Sequence, residues 1–475
     1  MLRSALLILS GNATASLLLL VRNLLVARLI PVEDYGIAAT FAVAMAVVEM
    51  ASALGLQQQI VQAKDGDDPH FQSALQGFQV LRGVLSGLVL VLIAGPMANF
   101  LAIPQVTWAY QLLALVPVLT ALTHFDIHRL NRQMVFWPLL LTGAVPALIS
   151  VLVLWPLAHW FGDWRVMLYS ILIQALIGTV VSHILAKRPY RIVLDPAIMR
   201  SSLRFGWPLL VNAVLLFFVF QGDRLIVGRL SGMQALAIFS MGITLTLTPT
   251  LVMAKSAQNF FLPQLTRIGA TPPSDAFSYM ARVTLQAAIL NGAITVAVMT
   301  VLSGPIVHFL LGVRYNDLIA LLVPLAALSG MRICKSGPAV VALARGRTGN
   351  AMISNLPRLL VLPLVWIVLE NGGGLLQIIW LGLGAEFVGY SLAMFLVRKQ
   401  GVGVPYPAIG LFLAYLAATL TMSLMLNSGF LTDWAGAGNY PGVTAVILLP
   451  LLLIAMPDLR RYATRRKRQP PGPNP

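Results

Sequence analysis

Four arginines stand inside long apolar runs of this chain: Arg22, Arg82, Arg224 and Arg332. A charge at membrane depth is costly unless it is paired, so each needs a chemical reason to be there. A guanidinium presents N–H donors in a planar fork and meets phosphate oxygens two at a time. The set is therefore expected to receive an anion. A secondary group comprises Arg28, Arg229, Lys255, Lys335 and Arg358. Arg28 and Arg229 fall at helix ends, and Lys255 and Lys335 can snorkel, so anchoring competes with binding for these four. Three acidic residues, Glu49, Asp223 and Glu386, can serve as ion-pair partners of arginines or as sites for a coupling ion. The single cysteine, Cys334, excludes a multi-cysteine metal site. No Walker motif is present, so no ATP coupling within the chain, no cofactor and no metal are expected.

The elements that carry these residues follow from composition. The chain has 475 residues, 58% hydrophobic and 10% charged, with a formal charge of +16. Its mean hydropathy is +0.84. Soluble domains carry about 25% charged residues. An ordinary soluble enzyme, a disordered chain and a nucleic-acid-binding module are thereby excluded. A spanning helix needs about 20 mostly apolar residues. Fourteen windows qualify: 5–27, 36–56, 72–95, 104–123, 136–158, 165–186, 207–227, 236–259, 279–302, 316–340, 350–369, 375–397, 407–426 and 439–456. Backbone polar groups inside a bilayer must be satisfied within the segment, so the windows are helices. The expected fold is an all-α polytopic membrane protein with about 14 transmembrane helices and short loops. The first window reads as a retained helix rather than a cleaved signal.

Lysine and arginine set the orientation. With both termini in the cytoplasm, the inner side receives Arg129 and Arg132, the run from Lys187 to Arg204, Arg345 and Arg347, Arg398 and Lys399, and the tail from Arg460 to Arg468. The outer side receives Arg165, Arg314 and few others.

The chain also echoes itself. Residues 22–29 read RNLLVARL and residues 223–230 read DRLIVGRL, an offset of 201. Residues 95–101 read GPMANFL and residues 304–310 read GPIVHFL. Two such matches at equivalent helix ends point to a duplicated six-span unit, with both copies in the same orientation. The expected organisation is an N-lobe over 1–186, a basic cytoplasmic linker over 187–206 and a C-lobe over 207–397. Two extra spans follow over 398–456, then a basic, proline-rich tail over 457–475 that reads as disordered. The linker and tail suit contact with anionic lipid.

Several segments resemble bacterial polysaccharide flippases, the polysaccharide transporter branch of the multidrug/oligosaccharidyl-lipid/polysaccharide exporter superfamily. They are VARLIPVEDYGIAATF (26–41), ALGLQQQIVQAKD (53–65), HRLNRQMVF (128–136) and the paired GP-x-x-x-FL. The resemblance implies two six-helix lobes around a central cavity and alternating access. It implies translocation of an undecaprenyl-diphosphate-linked oligosaccharide from the inner to the outer leaflet of the bacterial inner membrane. The diphosphate then explains Arg22, Arg82, Arg224 and Arg332. Arg22 matches a cationic first-helix position in the related lipid II flippases, where an acidic residue follows; here Asn23 follows. Expected partners are the lipid-linked substrate, membrane lipids and polysaccharide-assembly proteins, with no nucleic acid. Three rivals stand beside this reading: a flippase for lipid II or another lipid-linked glycan, a cation-coupled drug exporter, and a membrane glycosyltransferase or polymerase. The basic excess in the spans argues against the exporter, and the short loops argue against the enzyme.

Overall fold

The computed structural model describes residues 2–51, 54–268, 274–347, 349–430 and 438–468. The side chain of Glu49 lies outside the described set, as do residues 469–475. Every element among the described residues is helical. They form two compact units, Met1–Ala237 and Ile238–Pro475.

The first unit begins with α1 (Leu2–Leu29), α2 (Val32–Ala51), α3 (Leu56–Gln62) and α4 (Pro69–Phe100). There follow α5 (Thr107–Leu113), α6 (Leu115–Ala121), α7 (Asp126–Arg132), α8 (Trp137–Leu152), α9 (Leu154–Trp160), α10 (Arg165–Leu185) and α11 (Pro196–Leu230). Helix α1 packs on α8, α8 on α10, and α4 on α5 and α6. The starts of α4 and α11 share a recipe of aspartate followed by proline. Asp68 accepts from the Phe71 amide at 2.9 Å, and Asp195 accepts from the Ala197 and Ile198 amides at 2.9 and 3.2 Å. Each caps donors that have no partner in the first turn, while proline at the first helical position loses nothing there.

Helix α11 packs against α2 and α4 and so belongs to the first unit. The sequence places this span in the second lobe. The predicted linker over 187–206 is likewise revised, because α11 already begins at Pro196. The non-helical stretch before it is tied to α4, where the Val193 amide donates to the Ser73 carbonyl at 3.1 Å.

Helix α12 (Gly232–Ile268) leads into the second unit, followed by α13 (Asp275–Val301), α14 (Ser303–Ile306), α15 (Asp317–Ala344), α16 (Gly349–Leu360) and α17 (Leu362–Glu370). Then come α18 (Leu375–Lys399), α19 (Tyr406–Asn427), α20 (Tyr440–Ile454) and α21 (Pro457–Arg468). Helices α13 and α15 form the central pair. A Cβ on Gly292 of α13 would stand 2.7 Å from the Gly330 carbonyl and from Cys334 Sγ. A Cβ on Gly330 of α15 would stand 2.6 Å from Val296. Two facing glycines let these backbones approach closely, the usual route to tight helix pairing in lipid.

Nine helices among the described residues are long and apolar enough to cross a membrane, or up to 11 if each bent pair counts as one. The windows over 5–27 and 207–227 fall within α1 and α11, whereas the window over 36–56 runs past α2, which ends at Ala51. Three windows are interrupted, at α5/α6, α8/α9 and α16/α17. Pro117, Pro156 and Pro363 lie three or four residues past the last residue of the broken segment. Each removes an amide donor and crowds the carbonyl one turn earlier, which breaks the helix there. Pro146 and Pro249 lie inside unbroken α8 and α12, and Pro138 lies in the first turn of α8. The tail departs from its predicted disorder, since Pro457–Arg468 is helical. Leu459 and Tyr462 pack onto the core of the second unit, and that contact stabilises a segment whose composition alone would not fold.

Candidate functional site

Arg22 lies near the end of α1 and Arg224 near the end of α11, the two helices that finish with the repeated sequence. Both side chains are buried, each 9% exposed. Arg22 Nη1 donates to Gln174 Oε1 of α10, and Arg224 Nη1 donates to Gln221 Oε1 at 3.0 Å. Tyr35, in the first turn of α2, is buried and lies within electrostatic reach of both guanidinium groups. The turn from α1 to α2 needs only Ile30 and Pro31, which keeps Tyr35 close to the end of α1. Packing of α11 along α2 brings Arg224 to the same place. The offset of 201 maps Arg22 onto Asp223 and Asn23 onto Arg224, so the two echoed segments carry the arginine one position apart. Asp223 is buried beside Arg224 in sequence. Arg82 sits half-buried in α4, on the same unit.

The second unit holds a denser cluster. Glu386 of α18 is 1% exposed. Arg332 Nε donates to its Oε1 at 2.7 Å, and Lys335 Nζ donates to its Oε2 at 2.6 Å. Arg332 and Lys335 are three residues apart, so both project from one face of α15. Lys335 also donates to Asn355 Oδ1 of α16 at 2.7 Å. Arg358 of α16 is buried and acts electrostatically on both Glu386 and Lys335. Gly382 of α18 makes room for it, because a side chain there would run into the Arg358 guanidinium. Three cations around one carboxylate leave a surplus of positive charge in a buried place. A cavity of about 10 Å³ adjoins it, lined by Thr246, Arg332, Arg358 and apolar residues including Phe239, Leu325 and Ile379. That is room for about one water molecule.

The sequence-level candidates thus separate. Arg22 and Arg224 come together in the first unit, and Arg332, Lys335, Arg358 and Glu386 come together in the second. Lys335 and Arg358, ranked as secondary, are integral to that cluster. Arg28, Arg229 and Lys255 are exposed and join neither cluster; Arg229 lies over the Phe100 ring at 5.9 Å. Glu49 lies outside the described side chains. Sequence reading passed over Tyr35, Gln174 and Asn355. Gln174 offered a signal, as a lone amide in the apolar run ILIQALIG. Among the described residues no group of three His, Cys, Asp or Glu is placed to hold a metal.

Two of the segments behind the family resemblance prove to be partners. Arg132, in HRLNRQMVF, donates to the Val61 carbonyl at 2.9 Å and to the Ala63 carbonyl, and pairs with Asp67 at 3.2 Å. Val61 and Ala63 belong to ALGLQQQIVQAKD. The guanidinium closes the C-terminal end of α3, where carbonyls lack helical partners. Nearby, buried Asp126 accepts from Arg129 at 2.6 Å and from the Lys187 amide at 2.8 Å. This pattern is therefore architecture at one end of the first unit.

Comparison with known proteins agrees with this picture. The chain is 25% identical over 392 residues to the amylovoran biosynthesis protein AmsL of Erwinia amylovora, covering 74% of this chain and 89% of that one. Its fold is similar to the lipid II flippase MurJ in an inward closed conformation, with TM-score 0.70 at 16% identity over 96% of this chain and 100% of that one. It is also similar to an inward-facing multidrug resistance transporter of the MATE family of the MOP superfamily, with TM-score 0.67 at 12% identity over 82% of this chain and 95% of that one. At such identities the likeness establishes the fold. Together with the long apolar helices, it makes this a multi-pass membrane protein whose fold is similar to those two proteins. Residues 25–320, more than half the sequence and inclusive of Arg82, Arg224 and the Arg132 clamp, match the model of one family, so the chain belongs to the polysaccharide biosynthesis protein family.

Proposed function

We propose that this protein translocates an undecaprenyl-diphosphate-linked oligosaccharide from the inner to the outer leaflet of the bacterial inner membrane by alternating access. Within the polysaccharide family and the MOP fold, one observation carries the reading: the buried charge is predominantly cationic. Arg22 and Arg224 both lie within electrostatic reach of Tyr35 in one unit, and Arg332, Lys335 and Arg358 surround Glu386 in the other. A diphosphate crossing hydrocarbon needs replacement for its hydration, and guanidinium forks supply it bidentately. Arg22, Arg82, Arg224 and Arg332 are the proposed diphosphate ligands, with Lys335 and Arg358 supporting Arg332. A drug exporter for cations would instead require acidic excess at these depths.

Moving an anionic headgroup outward is downhill in a cell whose interior is negative, by about 2.3 kcal/mol per charge per 100 mV. Glu386 and Asp223 are the proposed sites for any coupling ion. The likeness to AmsL supports a role in exopolysaccharide assembly and contact with other assembly proteins.

The test is translocation of an undecaprenyl-diphosphate oligosaccharide in proteoliposomes, with membrane potential and pH gradient imposed separately. Wild-type movement that is lost in folded Arg22→Ala, Arg82→Ala and Arg224→Ala supports both function and site. Movement unchanged in all three keeps the function and removes the site. No movement across a series of glycan lengths removes the function.

A further inference from the structure

We propose that α21 is an interfacial helix that reads anionic phospholipid and passes that state to α13. Three observations support it. The first is direction. Helix α21 turns by 79° from α20, an apolar helix of 15 residues. A segment nearly perpendicular to a span lies along the membrane surface.

The second is its two-faced charge. Asp458, Leu459 and Tyr462 are partly buried against the second unit, whereas Arg460, Arg461, Ala463 and Thr464 are exposed. Arg465, Arg466, Lys467 and Arg468 continue the same helix. A cationic outer face beside a span fits an anionic headgroup layer, and the inward bias of lysine and arginine places it on the cytoplasmic leaflet.

The third is a built joint. The Leu459 amide donates to Gln286 Oε1 at 2.8 Å. Arg282 Nε and Gln286 Nε2 donate to Asp458 Oδ2 at 3.1 and 3.3 Å. Tyr279 Oη donates to the Asp458 carbonyl at 3.2 Å, and Tyr462 Oη donates to Gln264 Oε1 at 2.8 Å. The first unit has a counterpart. Gln76 of α4 takes the Phe125 amide at 2.8 Å, next to the Asp126–Arg129 pair. Gln76 and Gln286 stand at nearly the same offset as the GP-x-x-x-FL repeat. In the first unit an internal loop closes the helix end, and in the second the closing segment is the lipid-facing α21. Its position is therefore open to control by headgroup charge.

The experiment uses the full chain in nanodiscs of phosphatidylcholine, with phosphatidylglycerol titrated in, and reads amide exchange over 457–464 and at the start of α13. Phosphatidylglycerol is expected to slow exchange in both segments, and high salt to reverse the effect. Arg460→Gln and Arg461→Gln should each shift the titration midpoint about fivefold upward, with exchange in α20 unchanged. Asp458→Asn should uncouple the two segments, so that lipid still protects α21 but no longer α13. Equal exchange in both lipids overturns the proposal, as does a phosphatidylglycerol effect untouched by the two arginine substitutions. Protection of α13 that persists in Asp458→Asn overturns the transmission step.

Discussion

Lys335 and Glu386 meet at 2.6 Å across α15 and α18, and the other carboxylate oxygen is held by Arg332 at 2.7 Å. Removing one member of a buried pair leaves the rest uncompensated, at a cost of about 3–5 kcal/mol. Glu386 has Arg332, Lys335 and Arg358 around it, so Glu386→Gln is expected to fall at the upper end of that range. Lys335→Met removes a cation from a surplus and should cost less. Thermal unfolding in detergent of the two variants beside wild type gives the order directly. A more stable Glu386→Gln would mean that the cluster is not charged as drawn.

Arg22 and Arg224 should be equivalent in their effect on transport, because both are buried near Tyr35. A hydrogen bond to a charged group contributes about 1.5–3 kcal/mol. Arg22→Ala and Arg224→Ala are each expected to slow translocation about tenfold or more. Arg→Lys at either position keeps the charge and loses the fork, and should retain an intermediate rate. Initial rates in proteoliposomes, normalised to inserted protein, check this.

The glycine seam of α13 and α15 makes a stability prediction independent of substrate. Gly292→Ala forces a methyl group to within 2.7 Å of the Gly330 carbonyl. Overpacking of this kind costs about 1–3 kcal/mol. Gly304→Ala is the control, since nothing lies within 4 Å of the added Cβ. A lower melting temperature is expected for the first variant alone.

Arg132→Ala should loosen α3 without touching the buried arginines. It removes donors from the Val61 and Ala63 carbonyls and the pairing with Asp67. Faster amide exchange over 56–66, with translocation reduced no more than about twofold, is the expected result.

The cap of α11 carries a pH dependence. The Asp195 carboxyl is held below its usual range, first by the hydrogen bond with His70 and then by the Ile198 and Ala197 amides. A depressed carboxyl contributes stability that is present above its unfolded value of about 4. That contribution is lost as pH falls through the lower folded value. Exchange at residues 197 and 198 is expected to be slow at neutral pH and to quicken only in acid. Asp195→Asn, which still caps, should remove the pH dependence and keep the protection.

Helical windows were legible because lipid imposes long apolar runs, and the break points were legible in principle from Pro117, Pro156 and Pro363. The clusters were half legible. Arg22 and Arg332 stand out as charges in apolar surroundings, whereas their partners are set by packing. Gln174 lies 152 residues from Arg22, and Glu386 lies 54 from Arg332. No local pattern encodes such distances. The division between units escaped sequence reading for a related reason. The echoed sequence groups α11 with the second lobe, but its contacts with α2 and α4 assign it to the first unit. The composition of 457–468 signals disorder, while Leu459 and Tyr462 supply just enough apolar surface to dock that segment as a helix.

The surplus of positive charge around Glu386 has a practical consequence for identifying the cargo. Any anion that settles there relieves repulsion in the native state and has no equivalent site in the unfolded chain. Mass action then raises stability with ligand concentration, by about 2.7 kcal/mol at a hundredfold excess over the dissociation constant. A melting curve recorded against a panel of lipid diphosphates and their sugar conjugates therefore ranks ligands without a transport assay. The same curve with Arg332→Gln assigns the gain to this cluster, so the protein's own heat resistance becomes the detector for the proposed cargo.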